Sequence, residues 1–347
     1  MSVELQTPDY YDQFRCLAAA CPHSCCTGWE VVIDAASAAS YAAVPGPLGD
    51  KLRRCLTKAD GETCFCLTAE RRCPFLEESG LCEIHRKLGE EYTSVVCREH
   101  PRFVTDFGPL REISLSAACP AVRDLLLGSE APLTFPMGKT PDPAAMPESL
   151  FAPLRQCRDL GLGILRNRIL PLNRRLAWLL LFANEVQALL DSDAAEGLPE
   201  LCELYAWEPE LPELSGKSNF NRDALSLLMQ LEMLEPDWPA LLRAAALDDA
   251  VPEVPETVLE RMACYWFFRY FLRSVFDGDA LTPAQMTVFS VLAVRRLSGR
   301  IGPGEALRRF CREIEHCPEN LNALRDAFCS DPRFALVPFF TALQTQN

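Results

Sequence analysis

The chain has 347 residues, 49% of them hydrophobic and 24% charged, with a formal net charge of −14. That length suits two domains, each able to bury a core, and the ordinary apolar fraction excludes wholesale disorder. With 48 acidic against 34 basic residues and no Lys/Arg-rich run, the basic stripe of a nucleic-acid binder is missing.

Met1 to Tyr11 carries Glu4 and Asp9 and lacks the apolar stretch of a secretory signal, so the expected compartment is the cytosol. Membrane insertion is not expected either. The longest strongly apolar stretch, Leu176 to Ala183, is far short of the roughly 20 residues a spanning helix needs.

The first 128 residues combine short elements, many turn signals and a concentration of cysteine. Of 17 cysteines, eleven lie before residue 120. In a reducing compartment a clustered set of thiols reads as metal-binding rather than disulfide-bonded, and the odd total fits that reading. Cys16-x4-Cys21-x3-Cys25-Cys26 opens the module, and Cys73-x8-Cys82-x14-Cys97-x21-Cys119 follows. Thiolates are soft ligands for zinc or iron–sulfur clusters, and either centre takes about four of them. Several ligands per short segment also let a metal supply folding energy that a small core lacks. All eight are candidate ligands. Adjacent side chains diverge, so Cys25 and Cys26 are not expected to bind one ion together; one ligates while the other packs or serves a second centre. The run from Cys73 to His85 reads as a knuckle turning at Ser79-Gly80. Cys55, Cys64 and Cys66 read as bystanders. His85 and His100 read as ordinary histidines, with nitrogen ligation the lesser alternative.

Residues 129–153 hold six prolines and a glycine, a density that reads as a linker or extended strap. From residue 154 to 347 the pattern turns helical. Asn173 reads as the cap of a helix through Leu176, Leu179, Leu180, Ala183, Val186, Leu189 and Leu190. Glu256 to Phe276 reads as one deeply buried helix, apolar nearly all round. Further amphipathic stretches cover about 221–234, 283–298, 304–316 and 319–329. The expected fold class is therefore mainly α, a small cysteine-rich module followed by a helical bundle. The six later cysteines (Cys157, Cys202, Cys264, Cys311, Cys317 and Cys329) fall singly in these helical patterns and read as packing residues.

Three familiar motifs are excluded. Ser215-Gly216-Lys217-Ser218 resembles the end of a phosphate-binding loop, but Leu211 stands where the first glycine is required. Gly161-Leu162-Gly163 lacks both a third glycine and a preceding strand. A radical S-adenosylmethionine triad would need a third cysteine where Gly28 stands.

The block Cys16…Cys21-Pro22-His23-Ser24-Cys25-Cys26-Thr27-Gly28-Trp29, with Asp34, resembles the flagellin lysine N-methylase family. So do Cys73-Pro74-Phe75-Leu76, Gly80-Leu81-Cys82, Leu88-Gly89-Glu90-Glu91-Tyr92, Cys97-Arg98-Glu99-His100-Pro101-Arg102-Phe103, Cys119-Pro120 and, more loosely, Phe310 to His316. That family lies within a zinc- or iron-chelating superfamily with a CxxCxxCC signature; the opening spacing here is longer. The resemblance implies transfer of methyl groups from S-adenosylmethionine to lysines of flagellin, with a 4Fe-4S cluster, or alternatively zinc, on the cysteines. No glycine-rich loop marks a donor site, which is expected at the junction of the two halves. Glu90, Tyr92 and His316 are the candidate groups for handling the lysine proton. The competing reading is a non-enzymatic metal-binding or metal-sensing protein with a helical interaction domain.

Overall fold

The computed structural model describes residues 2–59, 61–143, 146, 148–212, 218–248 and 250–345, and the fold is mainly α. Pro147 and residues 215–217 of the excluded phosphate-loop motif lie outside the described residues. Strand β1 (Ser2–Gln6) opens the chain, followed by helices α1 (Ala35–Ala43) and α2 (Gly46–Arg54). A hairpin of β2 (Leu56–Ala59) and β3 (Glu62–Phe65), short helices α3 (Glu83–Leu88) and α4 (Val95–Glu99), and a second hairpin of β4 (Arg102–Asp106) and β5 (Leu110–Leu115) complete the first part. Helix α5 (Pro120–Leu127) and strand β6 (Met137–Pro143) lead into the helical body.

That body comprises α6 (Phe151–Leu165), α7 (Leu172–Asp191), α8 (Leu198–Leu204), α9 (Phe220–Leu228), α10 (Trp238–Ala246) and α11 (Glu256–Tyr270). It continues through α12 (Ser274–Asp277), α13 (Leu281–Ile301), α14 (Pro303–Glu315), α15 (Pro318–Ser330) and α16 (Leu336–Thr345). Helices α13 to α15 fall where the apolar period places them. Two local readings need correction. Asn173 is the second residue of α7, and Pro171 is the cap; the free Leu172 N–H is met by the Glu256 carboxylate at 3.2 Å, a partner distant in sequence. The stretch Glu256 to Phe276 is not one helix, because α11 gives way to a 3-10 turn at Phe271–Arg273 before α12.

A four-stranded sheet runs in the order β4-β5-β1-β6, with β1 parallel to β5 and antiparallel to β6. Strand β6 lies inside the segment that reads as linker or strap. Its prolines are tolerated because an edge strand leaves one side of its backbone outside the ladder. The apolar core does not part at residue 128. Tyr10, Phe14, Phe107, Leu110, Leu115, Val122 and Leu133 join one cluster that extends through the bundle to Leu343. The cysteine-rich part keeps a small core of its own, built from Val31, Ile33, Tyr41, Val44, Leu52, Phe65, Cys73, Phe75 and Ile84.

Buried ion pairs tie sheet to bundle and helix to helix. Arg158 of α6 is fully buried, donates to Glu112 of β5, and reaches Gln6 Oε1 of β1 at 2.8 Å. Arg175 of α7 meets Glu260 of α11 at 2.7 Å, both about 1% exposed, and Arg168 joins the same carboxylate at 2.8 Å. Removing one member of such a pair strands the other charge in low dielectric. Glu260→Ala should therefore lower stability by about 3–5 kcal/mol in urea unfolding, with Glu260→Gln less severe.

Candidate functional site: a thiol module at the junction of two halves

The first cysteine block is stitched to the second by backbone hydrogen bonds. Gly28 N–H donates to Arg71 O and Cys73 N–H donates to Cys26 O, each at 2.8 Å, and Thr27 bridges Arg72. Gly28 sits at φ +89°, a conformation that costs other residues dearly. The expected knuckle is present: Leu76 bridges Cys82 around a turn in which Gly80 has φ +79°.

Asp34 sets the position of Cys97. Its carboxylate caps α1 through Ser37 N–H at 2.9 Å and also accepts the Val95 N–H at 3.0 Å, which starts α4. The Val95 bond, then those from Ser37, hold the Asp34 carboxyl well below the usual carboxylate range.

Cys73 is buried in the small core, and Cys26 and Cys82 pack against it. Burial pushes the Cys73 thiol up to about 12, with Cys26, Cys97 and Cys82 adding to the effect. Cys97 is exposed by surface area yet hemmed in by protein, and its thiol rises to about 11. The Cys25 thiol interacts with that of Cys26, which raises Cys25 and lowers Cys26. Cys119 caps α5 and packs on the large core, where burial raises it. Cys16 and Cys25 are exposed and Cys21 half-buried. Cys55 and Cys66 share the edge of the β2–β3 hairpin, the Cys66 thiol 3.0 Å from Cys55 O. Cys64 is buried in that hairpin, 3.8 Å from Glu30.

Among the described residues, no three of the eight module sulfurs lie within 4.8 Å of one another. Among the described residues, the set of three ligand atoms all within 4.8 Å of one another lies elsewhere, at Glu232, Cys317 and Glu319. The later cysteines are less solitary than their sequence positions imply. Cys157 and Cys202 meet at 3.6 Å inside the bundle, and Cys329 is exposed.

Above the thiols the two halves meet in a cluster of rings and charges. Trp29 packs on His316 with centroids 4.8 Å apart and on His100 at 5.8 Å; Phe103 lies 5.2 Å from His316. The Arg312 guanidinium stacks 4.3 Å from the Trp29 ring and donates to Thr27 O. Beneath lies Glu315, which accepts from Tyr265 at 2.7 Å and Ser116 at 3.3 Å, with Arg269 3.5 Å away. The Ser116 hydroxyl also stands 2.9 Å from His316 Nε2. Burial first, and nearby Arg312, lower His100 to about 4. Burial, then His100, Arg269 and Arg312, lower His316 to about 3. Both imidazoles are neutral at physiological pH.

Glu90 and Tyr92 lie on an exposed 3-10 turn between α3 and α4. Among the described residues, no side-chain hydrogen bond or ring contact joins either to His316. His85, in α3, is exposed.

A cleft of about 370 Å³ opens between the module and the helical body, lined by Cys21, His23, Thr27, Arg72, Glu235 and Arg312 among others. Glu235 takes Arg308 at 3.0 Å, Arg309 at 3.3 Å and Arg312 at 3.5 Å, all from α14. Sequence reasoning missed Arg72, Glu235 and Arg312 as site residues. Arg312 at least sat within a resemblance segment; Glu235, in the connection between α9 and α10, offered no signal.

Fold and site together define a class: a cysteine-rich module seated on a mainly α body, with a polar cleft where they join. The chain belongs to the FliB lysine N-methylase family, whose C-terminal domain model matches residues 158–335, within the helical body. The flagellar biosynthetic protein FliU of Salmonella muenchen is 28% identical over 132 residues, 36% of this chain and 78% of that protein. The lysine-N-methylases of Salmonella typhimurium and Salmonella choleraesuis are 28% identical over 132 residues, 36% of this chain and 33% of each of theirs. The match thus spans about a third of the length of those two methylases. No solved structure matches. Among the described residues, no helix is long and apolar enough to cross a membrane.

Two outcomes follow from this geometry. Asp34→Ala removes the cap of α1 and the tether of α4, and should cost about 1–2 kcal/mol in thermal unfolding. The carboxylate's contribution is present above its ordinary pKa and is lost as pH falls toward its depressed folded value. The histidines act over a different window. Between the ordinary 6.5 and about 4, the unfolded chain binds protons that folded His100 and His316 refuse, so stability drops as pH falls through that range. The double variant His100→Gln/His316→Gln should flatten this part of the stability–pH curve.

Proposed function

We propose that the protein methylates lysine ε-amines of flagellin with S-adenosylmethionine as donor, using a module whose cysteines hold an iron–sulfur cluster. Membership of the lysine N-methylase family carries this reading, and the flagellar name of one relative supports the substrate. Amine methylation is a polar displacement in which the neutral amine attacks the donor's methyl carbon and the thioether departs. The chain must therefore align the two reactants and relieve the lysine of its proton.

The cleft at the junction suits the donor. Its volume lies in the usual range for small-molecule sites. Arg72 and Arg312 can face a carboxylate and Glu235 an ammonium, the two charges of the donor's amino-acid end. A net charge of −14 favours approach of a cationic side chain. His316 is neutral beside the junction, and with Glu90 and Tyr92 on the module surface it supplies the groups assigned to the lysine proton.

The donor set fits a soft metal group: Cys16, Cys21, Cys25, Cys26, Cys73, Cys82, Cys97 and Cys119 are all thiols drawn into one module. All-cysteine ligation and the family resemblance favour a 4Fe-4S cluster over zinc. When bound, such a cluster would fasten the loops of the module, a role these thiols would supply as its ligands.

Metal-loaded protein incubated with S-adenosylmethionine and flagellin should add methyl mass to flagellin lysines. The rate should rise with pH, because a free lysine with pKa near 10.4 is almost wholly protonated at neutrality. Arg72→Met should raise KM for the donor roughly tenfold, while Glu90→Gln, Tyr92→Phe and His316→Asn lower turnover more than stability. Flagellin that gains no mass from folded, metal-loaded protein would count against the reading.

A further inference from the structure

His316 shares the Ser116 hydroxyl with Glu315, and the placement of protons in that contact decides which ring nitrogen is left bare. We propose that Glu315 and Ser116 are positioning residues that hold His316 with its proton on Nε2, leaving the Nδ1 lone pair to accept an N–H of the substrate amine. The tautomer follows from hydrogen-bond geometry; the role toward lysine rests on the proposed function.

Two kinds of group in this network have no freedom. Backbone N–H groups only donate, and an ionised carboxylate only accepts. Ala117 N–H donates to the Tyr265 hydroxyl and Ala118 N–H to Ser116 Oγ, each at 3.2 Å. At the other end the Glu315 carboxylate pairs with Arg269 at 3.5 Å and accepts from Tyr265 at 2.7 Å and Tyr270 at 3.4 Å. Ser116 Oγ stands between, 3.3 Å from Glu315 Oε2 and 2.9 Å from His316 Nε2. Its single proton has two places to go.

Sent to the imidazole, that proton would leave a hydroxyl lone pair facing a carboxylate oxygen. Ser116 and Glu315 are both buried, where such an unpaired contact is costly. Sent to Glu315, it satisfies every partner: Ser116 Oγ donates once and accepts twice, from Ala118 N–H and from His316 Nε2–H. The imidazole is the member free to adapt, since either nitrogen can carry its proton.

Nδ1 is what remains. Among the described residues no protein group hydrogen-bonds to it, and the His316 side chain is half-buried. Trp29, His100 and Phe103 hold the ring in place, at centroid separations of 4.8, 5.7 and 5.2 Å. Arg312 stacks on Trp29 and Arg269 on Phe103, so cations already flank the ring. A further cation is disfavoured there, and the amine that meets Nδ1 is the neutral form. An amine donating its N–H to Nδ1 keeps its own lone pair for the methyl carbon. The N–C bond forms as the C–S bond breaks, with the bonding pair staying on sulfur, and the methylated ammonium releases its extra proton to water. A ring protonated on Nδ1 would instead donate to the amine and tie up the lone pair that has to attack.

Long-range proton–nitrogen correlation spectra of the nitrogen-15-labelled full chain read the tautomer directly, and the chain has only four histidines. His316→Asn identifies the signals. Wild type should show Nε2 protonated and Nδ1 bare. Glu315→Gln introduces an N–H that can donate to Ser116, frees the hydroxyl proton for Nε2, and should move His316 toward the Nδ1–H form. Ser116→Ala should give a mixture of the two. Both variants should lower kcat for flagellin about tenfold, one hydrogen bond's worth of orientation, with KM for the donor unchanged. Circular dichroism checks each fold, and Ser116→Ala, which loses one oxygen, is the arm that remains if Glu315→Gln does not fold. His316 carrying its proton on Nδ1 in wild type would overturn the proposal, as would the wild-type tautomer persisting in the variants. So would unchanged turnover in a variant whose tautomer has moved. Flagellin left unmodified by wild type would remove the lysine role along with the reading it rests on, while the spectra decide the tautomer in either case.

Discussion

The guanidinium of Arg312 is the point at which the two halves become one molecule. It stacks on Trp29, donates to Thr27 O and pairs with Glu235, so three parts of the chain depend on one planar cation. Gly28 makes this possible. A Cβ there would stand 2.5 Å from the Arg312 terminal nitrogen, and its φ of +89° already excludes most side chains. A lysine has neither the plane to stack nor the fork to bond in two directions, so it is no substitute for this arginine.

From that contact the charge order of the junction spreads outward. Glu235 balances three arginines of α14, and its own backbone N–H is held by Glu313 at 2.8 Å. Glu305 extends the network to Arg123 of α5 at 3.6 Å and to His23 of the first cysteine block at 3.7 Å. Arginine on one wall and carboxylate on the other suit a zwitterionic ligand better than an apolar one. Nearby, burial first and then the neighbouring arginines keep His100 and His316 uncharged, so further cations near Arg312 and Arg269 are avoided.

The cysteine-rich part has little else to hold it together. Its private core is small, and long stretches such as residues 15–30 are half-buried or exposed. Turns at positive-φ glycines and a few cross-strand hydrogen bonds shape the loops, and the Asp34 carboxylate fixes α1 against α4. Metal ligation would add stability where apolar burial is scarce, which is the physical logic of small thiol-rich modules. The helical body, with its continuous core and buried Arg–Glu pairs, needs no such help.

What the sequence determined by itself is whatever depends on neighbours along the chain. The periods that make α13, α14 and α15 were legible, because a helix repeats its apolar face within a few residues. So were the thiol module, the knuckle at Gly80 and the family resemblance, all carried by short spacings. Only the tertiary structure decided the rest. It placed β6 beside β1, closed α7 with Glu256, broke the long apolar stretch at Phe271, and merged residues 107–135 with the bundle core. It also set Arg312 against Thr27, 285 positions away, and so made the cleft. Contacts of that range leave no period or spacing in a single sequence, since their geometry comes from how finished elements pack.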